Sequence, residues 1–334
     1  MTRTALLIGA NHGGLKGVHR DLAVMGKLLC ERRFTTRICG PEQATRSGVL
    51  AAYDQLIADA RPDDAIVVYY SGHGGYTGPS GVPGDGPTEL QYIVPMGFTD
   101  SDEGEFLGIT SAELSVRQAQ LTAITDNVTV ILDCCHSGLM SRGSEGVIKS
   151  IGRVSYDRVR AHLDRLEREG LRTDLVPVGG NPHAVRIVAC APQQRAYEYE
   201  YASNAHVGVL TESLAHVLAE ADTAPVTWAD ILDRVRNRVI GLRFSQRPEV
   251  EGPSNRLPFS TEVAELLHSL PVTVLGQPNR VGLDCAPLLQ VQSGDEFMLM
   301  PAGMGKADPD RRIGDLTVDS VSALSATGQV SFAA

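Results

Sequence analysis

Two short motifs in this chain carry a thiol and an imidazole to matching places. Asp133-Cys134-Cys135-His136-Ser137-Gly138 follows an apolar run at residues 128–132, and Tyr70-Ser71-Gly72-His73-Gly74-Gly75 follows another at residues 66–70. A cysteine nucleophile needs a base to take its proton, and in open α/β sheets chemistry gathers outside the carboxyl ends of the strands. Cys135 is therefore read as the nucleophile and His73 as its base. The glycines beside His73 let the main chain approach a substrate carbonyl closely, and the backbone N–H groups of Gly74 and Cys135 could hold an oxyanion. Cys134 points to the opposite side of its strand and reads as an inert core thiol. His136 reads as a loop or surface histidine.

The elements that must position these residues follow from periodicity. Residues 3–9, 34–38, 65–70, 127–132 and 184–190 read as strands, and helical patterns fall at 19–32, 43–60, 111–123, 155–169, 207–220 and 228–240. Ser111 is the expected cap of the third helix. Strands alternating with helices predict an α/β fold with a mainly parallel sheet covered on both faces. The glycine- and proline-rich stretch 72–89 is read as a loop or loose hairpin beside His73, and 246–258 as irregular. Beyond Leu270 short alternating strands, at 289–300 and 316–332, indicate a small β-rich appendage.

With 334 residues, 43% hydrophobic and 21% charged, the chain can bury one large core and a smaller second one. A formal charge of -10 argues against a nucleic-acid or anionic-membrane partner and suits a basic peptide or protein. The first residues read as a strand, with no secretory or membrane-spanning pattern, so a cytoplasmic location is expected. The six cysteines, at 30, 39, 134, 135, 190 and 285, have no disulfide-framework spacing and no C-x-x-C pair, so neither disulfides nor structural zinc is expected.

Tyr-Ser-Gly-His-Gly followed about sixty residues later by Asp-Cys-Cys-His-Ser-Gly resembles the catalytic pair of the bacterial metacaspase branch of the caspase superfamily, outside the true caspases. The resemblance runs over residues 3–260, through Ala5-Leu6-Leu7-Ile8-Gly9, Cys190-Ala191-Pro192, Tyr197-Glu198 and Gln246-Arg247-Pro248. It implies a caspase-haemoglobinase fold with a six-stranded sheet in a peptidase domain of residues 1–262. That domain comprises a large segment 1–138, a linker 139–183 and a small segment 184–262, and a β-rich region 263–334 follows. It also implies a His73/Cys135 dyad and a primary specificity pocket lined by Asp21, Ser71 and Asp133. Carboxylates there would select a protein substrate with arginine, or second lysine, before the scissile bond. The alternatives for these three residues are a solvated helix position for Asp21, a turn hydrogen bond for Ser71 and a capping carboxylate for Asp133.

Metacaspases often need calcium, but Gly97 and Thr110-Ser111 stand where the family places carboxylates, and Asp100, Asp102, Glu103 and Glu105 lack calcium-loop spacing. No cofactor is therefore expected. Arg142, Lys149, Arg153, Arg158 and Arg160 lie in the linker, where a protease of basic preference could cut itself; the other reading is a charged helix face paired as Asp164 with Arg168. A regulatory protein partner and a role in bacterial defence are further implications of the resemblance. A non-catalytic scaffold and an acyl-transferring thiol enzyme are the competing classes.

Overall fold

A computed structural model describes residues 2–78, 89–98, 105–135, 146–151, 153–176, 181–191, 194–202, 205–221, 226–263, 270, 272–277, 279–284, 291–301, 308–322 and 325–332. Along the chain, β1 (Arg3–Gly9), α1 (Val18–Glu31), β2 (Thr35–Cys39), α2 (Arg46–Asp59) and β3 (Ala65–Ser71) alternate as the periodicity predicts. Three short strands follow, β4 (Gly74–Tyr76), β5 (Gln91–Ile93) and β6 (Ile109–Thr110), then α3 (Ser111–Thr122), β7 (Val128–Asp133), β8 (Val147–Ile148) and α4 (Tyr156–Arg168). Next come β9 (Ala184–Val188), β10 (Tyr197–Ala202), β11 (Ala205–Gly208), α5 (Val209–Glu220), α6 (Trp228–Gly241) and β12 (Glu249–Glu251).

Six strands form the main sheet in the order β12-β9-β7-β3-β1-β2, all parallel except the edge strand β12, which runs antiparallel to β9. Every residue of β3 and β7 is buried, as strands covered on both faces must be. One face packs Leu6, Ile8, Val68, Tyr70 and Val130 against Val49, Tyr53 and Leu56 of α2 and Leu121 of α3. β12 corrects the expectation that 246–258 is irregular: three residues between prolines carry too little pattern to read, yet they complete the sheet edge. The cap of α3 is also one residue earlier than expected. Thr110 accepts from the Glu113 N–H while Glu113 accepts from the Thr110 N–H, a reciprocal capping box.

The chain divides into two compact units, residues 1–220, 235–254 and 259–261 in the first and 221–234, 255–258 and 262–334 in the second. The second holds a five-stranded antiparallel sheet in the order β13 (Val272–Val274), β14 (Arg280–Asp284), β17 (Ser325–Phe332), β16 (Gly314–Val321) and β15 (Glu296–Leu299). Val281, Leu283, Val291, Leu316, Val318 and Val330 form its own small core. The residue pattern anticipates its β character, with the expected 316–332 strand folded back on itself as β16 and β17.

Candidate active site

Parallel pairing of β3 with β7 sets Ser71 opposite Asp133, so the two motifs leave the sheet side by side. His73 and Cys135 each stand two residues beyond that pair, and both are buried, 4% and 0% exposed. The His73 carbonyl accepts from the Tyr70 hydroxyl at 2.8 Å and from the Val94 N–H at 3.0 Å, which fixes the main chain that carries the imidazole. Burial, then the charges of His12 and Lys149, push the imidazole pKa down to about 4, against backbone contacts from Gly13 and Lys149. At neutral pH the ring is therefore uncharged, the state a base requires. Cys135 Sγ donates to the Gln194 carbonyl at 3.3 Å, and Cys190 Sγ donates to the same oxygen at 3.4 Å. Burial, then the neighbouring Cys135 and Asp133, hold Cys134 protonated well above the ordinary thiol range, in keeping with an inert core position.

One carbonyl connects the two motifs. The backbone N–H groups of Gly74 and Cys135 both donate to the carbonyl oxygen of Lys149, at 3.0 and 3.1 Å. Two backbone donors thus converge on one peptide carbonyl of the same chain. The Lys149 N–H donates to Ala196 O at 2.9 Å, and β8, just before it, pairs antiparallel with β10, Ile148 opposite Tyr197 and Val147 opposite Glu198. On the other side Ser150 bridges to Gly74, the Ile151 N–H donates to Gly74 O, and Arg153 reaches the Tyr76 hydroxyl. A single extended segment thus crosses both strand ends.

The Lys149 side chain lies among Asp21, Ser71 and Asp133. Its Nζ lies 2.9 Å from Asp21 Oδ2, 3.0 Å from Ser71 Oγ and 3.0 Å from Asp133 Oδ2, and all of these side chains are buried. Ser71 Oγ also donates to Asp21 Oδ2 at 2.6 Å, so neither a solvated helix position for Asp21 nor a local turn bond for Ser71 describes what these residues do. Among the described residues Asp133 accepts from Thr211 Oγ1 and from Lys149 rather than capping a backbone N–H, and its Oδ1 has no hydrogen-bond partner. Burial, offset by Lys149 and then reinforced by Asp21, raises the Asp133 pKa; the two carboxylates in turn outweigh burial and raise that of Lys149.

The residue pattern gave no signal for several residues that complete this pocket. The Gly208 N–H donates to Asp21 Oδ1 at 2.7 Å, and a Cβ at Gly208 would lie 2.0 Å from Asp133 Oδ2, so only glycine lets the two groups approach. Glu198, fully buried, accepts from the N–H groups of Lys16 and Gly17 at the start of α1 and fixes the turn that delivers Asp21. Both lie on a short hairpin, β10 paired with β11, and the groups they bind at the start of α1 are nearly two hundred residues away in sequence.

Among the described linker bases, only Lys149 has its side chain between Asp21, Ser71 and Asp133. Arg158 and Arg160 lie on α4, where Asp164 pairs with Arg160 at 2.5 Å rather than with the Arg168 guanidinium, which instead reaches the Asp164 carbonyl. Arg142, His136, Asp100, Asp102 and Glu103 lie outside the described residues. Among the described residues no group of His, Cys, Asp or Glu is arranged to hold a metal, and Thr110, where a calcium ligand would fall, is committed to its helix cap. No helix among them is long and apolar enough to cross a membrane.

Comparison with known proteins decides the family. The family model described as the caspase domain matches residues 2–260, well over half of the chain. The chain belongs to the caspase-domain family of cysteine peptidases. It is 33% identical over 155 residues to metacaspase-1A of Aspergillus oryzae, covering 41% of this chain and 35% of that protein. It is 23% identical over 297 residues to metacaspase-1 of Candida glabrata, covering 74% of this chain and 72% of the relative. The chain thus spans about a third of the length of the first of these metacaspases. A solved structure, protein GSU0716 from Geobacter sulfurreducens, superimposes with a TM-score of 0.58 at 19% identity, covering 79% of this chain and all of that one, and so supports the fold. The caspase-domain match and the six-stranded, mainly parallel sheet bear out the expected fold class, and the metacaspase relatives bear out the resemblance.

Proposed function

We propose that this chain is a cysteine endopeptidase that cuts after a basic residue, and that its first substrate is its own Lys149–Ser150 bond. The observation that carries this reading is the placement of Lys149, with its ammonium between Asp21, Ser71 and Asp133 and its carbonyl on the N–H groups of Gly74 and Cys135. A scissile residue needs both at once: a side chain recognised by charge and a carbonyl polarised toward attack.

In this reading the Cys135 thiol leaves the Gln194 carbonyl and passes its proton to neutral His73. The thiolate attacks the Lys149 carbonyl carbon, and the developing oxyanion is held by Gly74 and Cys135. His73 returns the proton to the Ser150 nitrogen as the C–N bond breaks. Water then hydrolyses the thioester and frees the Lys149 carboxylate. Until that cut, the segment covers both reactive side chains, so the intact chain is a closed precursor. Once it has moved aside, the pocket receives a lysine or arginine of another protein. Gly97 and Thr110-Ser111 stand where the resemblance would put calcium-binding carboxylates, and we expect activity in EGTA to equal that in calcium.

The test is a fluorogenic peptide panel differing only in the residue before the leaving group. Arginine and lysine peptides are expected to be cut at least about a hundredfold faster than aspartate or leucine peptides, as befits loss of a buried charge pair. Faster cleavage of the aspartate or leucine peptide would overturn the assignment.

A further inference from the structure

The segment that fills the site also records what the site tolerates farther from the cut. Gly146 stands three residues before Lys149, just ahead of the β8–β10 pairing. A Cβ placed there would lie 2.8 Å from the Glu198 carbonyl oxygen, 3.1 Å from Phe244 Cε1 and 3.4 Å from Tyr197 Cβ. The first contact is with main chain, and that main chain cannot give. β10 is paired with β11 on its far edge, Glu198 opposite Gly208, while the Glu198 carboxylate is tied to Lys16 and Gly17.

The second contact blocks the way out. Phe244 is fixed by its own N–H to Val239 O at 3.2 Å and by ring contacts to Tyr197 and Tyr199, at centroid distances of 5.4 and 5.5 Å. The Tyr197 N–H in turn donates to Gln246 Oε1. A side chain at this position would have to move off the Glu198 carbonyl and into the Phe244 ring. By contrast, Val147 is 40% exposed, so the next residue toward the cut is open to solvent.

We infer that the site selects substrates carrying glycine three residues before the basic residue, and that Phe244 is the residue that enforces it. This rests on the proposed cleavage after a basic residue. It adds a requirement that acts by exclusion, since a methyl group is rejected while glycine gains no new contact. The sequence selected is Gly-x-x-Lys/Arg, with the second position unconstrained.

The experiment compares two peptides, Gly-Val-Ile-Lys and Ala-Val-Ile-Lys, on the same leaving group, with the wild-type chain and with Phe244→Ala. The wild type is expected to prefer the glycine peptide by at least about tenfold in kcat/KM, an ordinary discrimination for one methyl group in a tight subsite. In Phe244→Ala the ratio is expected to fall below about threefold, because the alanine peptide can shift into the vacated space. Because the readout is a ratio within each protein, a change in overall activity of the variant does not obscure it. Should that variant not fold, Gly146→Ala in the chain itself, expected to slow self-cleavage at Lys149, gives a second reading. Equal rates on both peptides with wild type would refute the glycine requirement while leaving cleavage after lysine intact. An unchanged ratio in a folded Phe244→Ala would remove Phe244 as its cause. No cleavage of either peptide, with leucine or aspartate peptides cut instead, would be the failure of the underlying function.

Discussion

Two buried ion clusters in the first unit use the same chemistry for opposite ends. Glu113 at the start of α3 takes Arg46 Nη2 at 2.5 Å, the Thr110 N–H and the Thr110 hydroxyl, so one carboxylate is surrounded by donors. The other cluster sets Asp21 and Asp133 around Lys149, with two carboxylates to one ammonium and Asp133 Oδ1 unpartnered among the described residues. The first is complete, and its partners come from helices and turns of the permanent fold. The second owes its ammonium to a crossing segment and keeps one carboxylate oxygen unpartnered among the described residues even so. Removing a partner from any buried pair is costly, and in the proposed reading the second cluster exchanges its partner for the basic residue of a substrate.

Breaking the pocket should have the largest effect. Asp133→Asn is expected to lower kcat/KM toward lysine and arginine peptides by about 30-fold to a thousandfold, the cost of truncating a buried hydrogen-bonded charge pair. A Lys149→Arg chain should still cut itself at residue 149 and a Lys149→Ala chain should not, as followed by gel and mass. Equal self-cleavage of the two would mean that the acidic pocket does not read the residue.

The pH profile sharpens the contrast with less amplitude. With a basic residue bound, the base is neutral down to about 4, so kcat is expected to hold until the pH approaches that value. Asp133 is raised by burial and by Asp21, so an emptied pocket takes up a proton as the pH falls. Binding a basic side chain must then expel that proton, and kcat/KM is expected to decline at a higher pH than kcat. Coincident acid limbs for the two parameters would show that the carboxylate pair does not titrate in the free enzyme.

The complete cluster should affect stability and leave chemistry alone. Although burial would raise it, contacts from His162, Arg46 and Thr110 bring the Glu113 pKa down to about 2. A depressed carboxylate contributes stability that is present above its unfolded value, near 4.3, and lost as the pH falls through about 2. Glu113→Gln is expected to cost about 1–3 kcal/mol in urea unfolding at neutral pH, with the difference from wild type shrinking between about pH 5 and 2. Its kcat/KM per folded molecule should stay within about twofold, because Glu113 is held by Arg46, Thr110 and His162 and touches none of the proposed reacting groups. A loss of activity comparable to that of Asp133→Asn would erase the distinction between the clusters.

The sequence made the frame legible because β3 and β7 are continuous apolar runs and α1 places Leu22, Met25, Leu28 and Leu29 on one buried face. It also located both motifs at strand ends, which is where the structure places them. The pocket was legible only through the family resemblance. Asp21 follows His19 and Arg20 on a helix and reads locally as a solvated residue; its burial depends on Gly208 and Glu198, nearly two hundred residues away. Lys149 was visible as one basic residue among several in the linker, but a two-residue strand such as β8 has no period to detect. β12 failed for the same reason, compounded by its flanking prolines.

The central claim, that Lys149 sits as the residue to be cut, is tested most directly by the intact mass and new N-terminus of the purified chain beside Cys135→Ala. The account predicts that the wild type yields fragments ending at Lys149 and beginning at Ser150, and that the Cys135→Ala chain stays whole. A wild-type chain that remains uncut under conditions where it hydrolyses basic peptides, or a Cys135→Ala chain cut at the same bond, would contradict it.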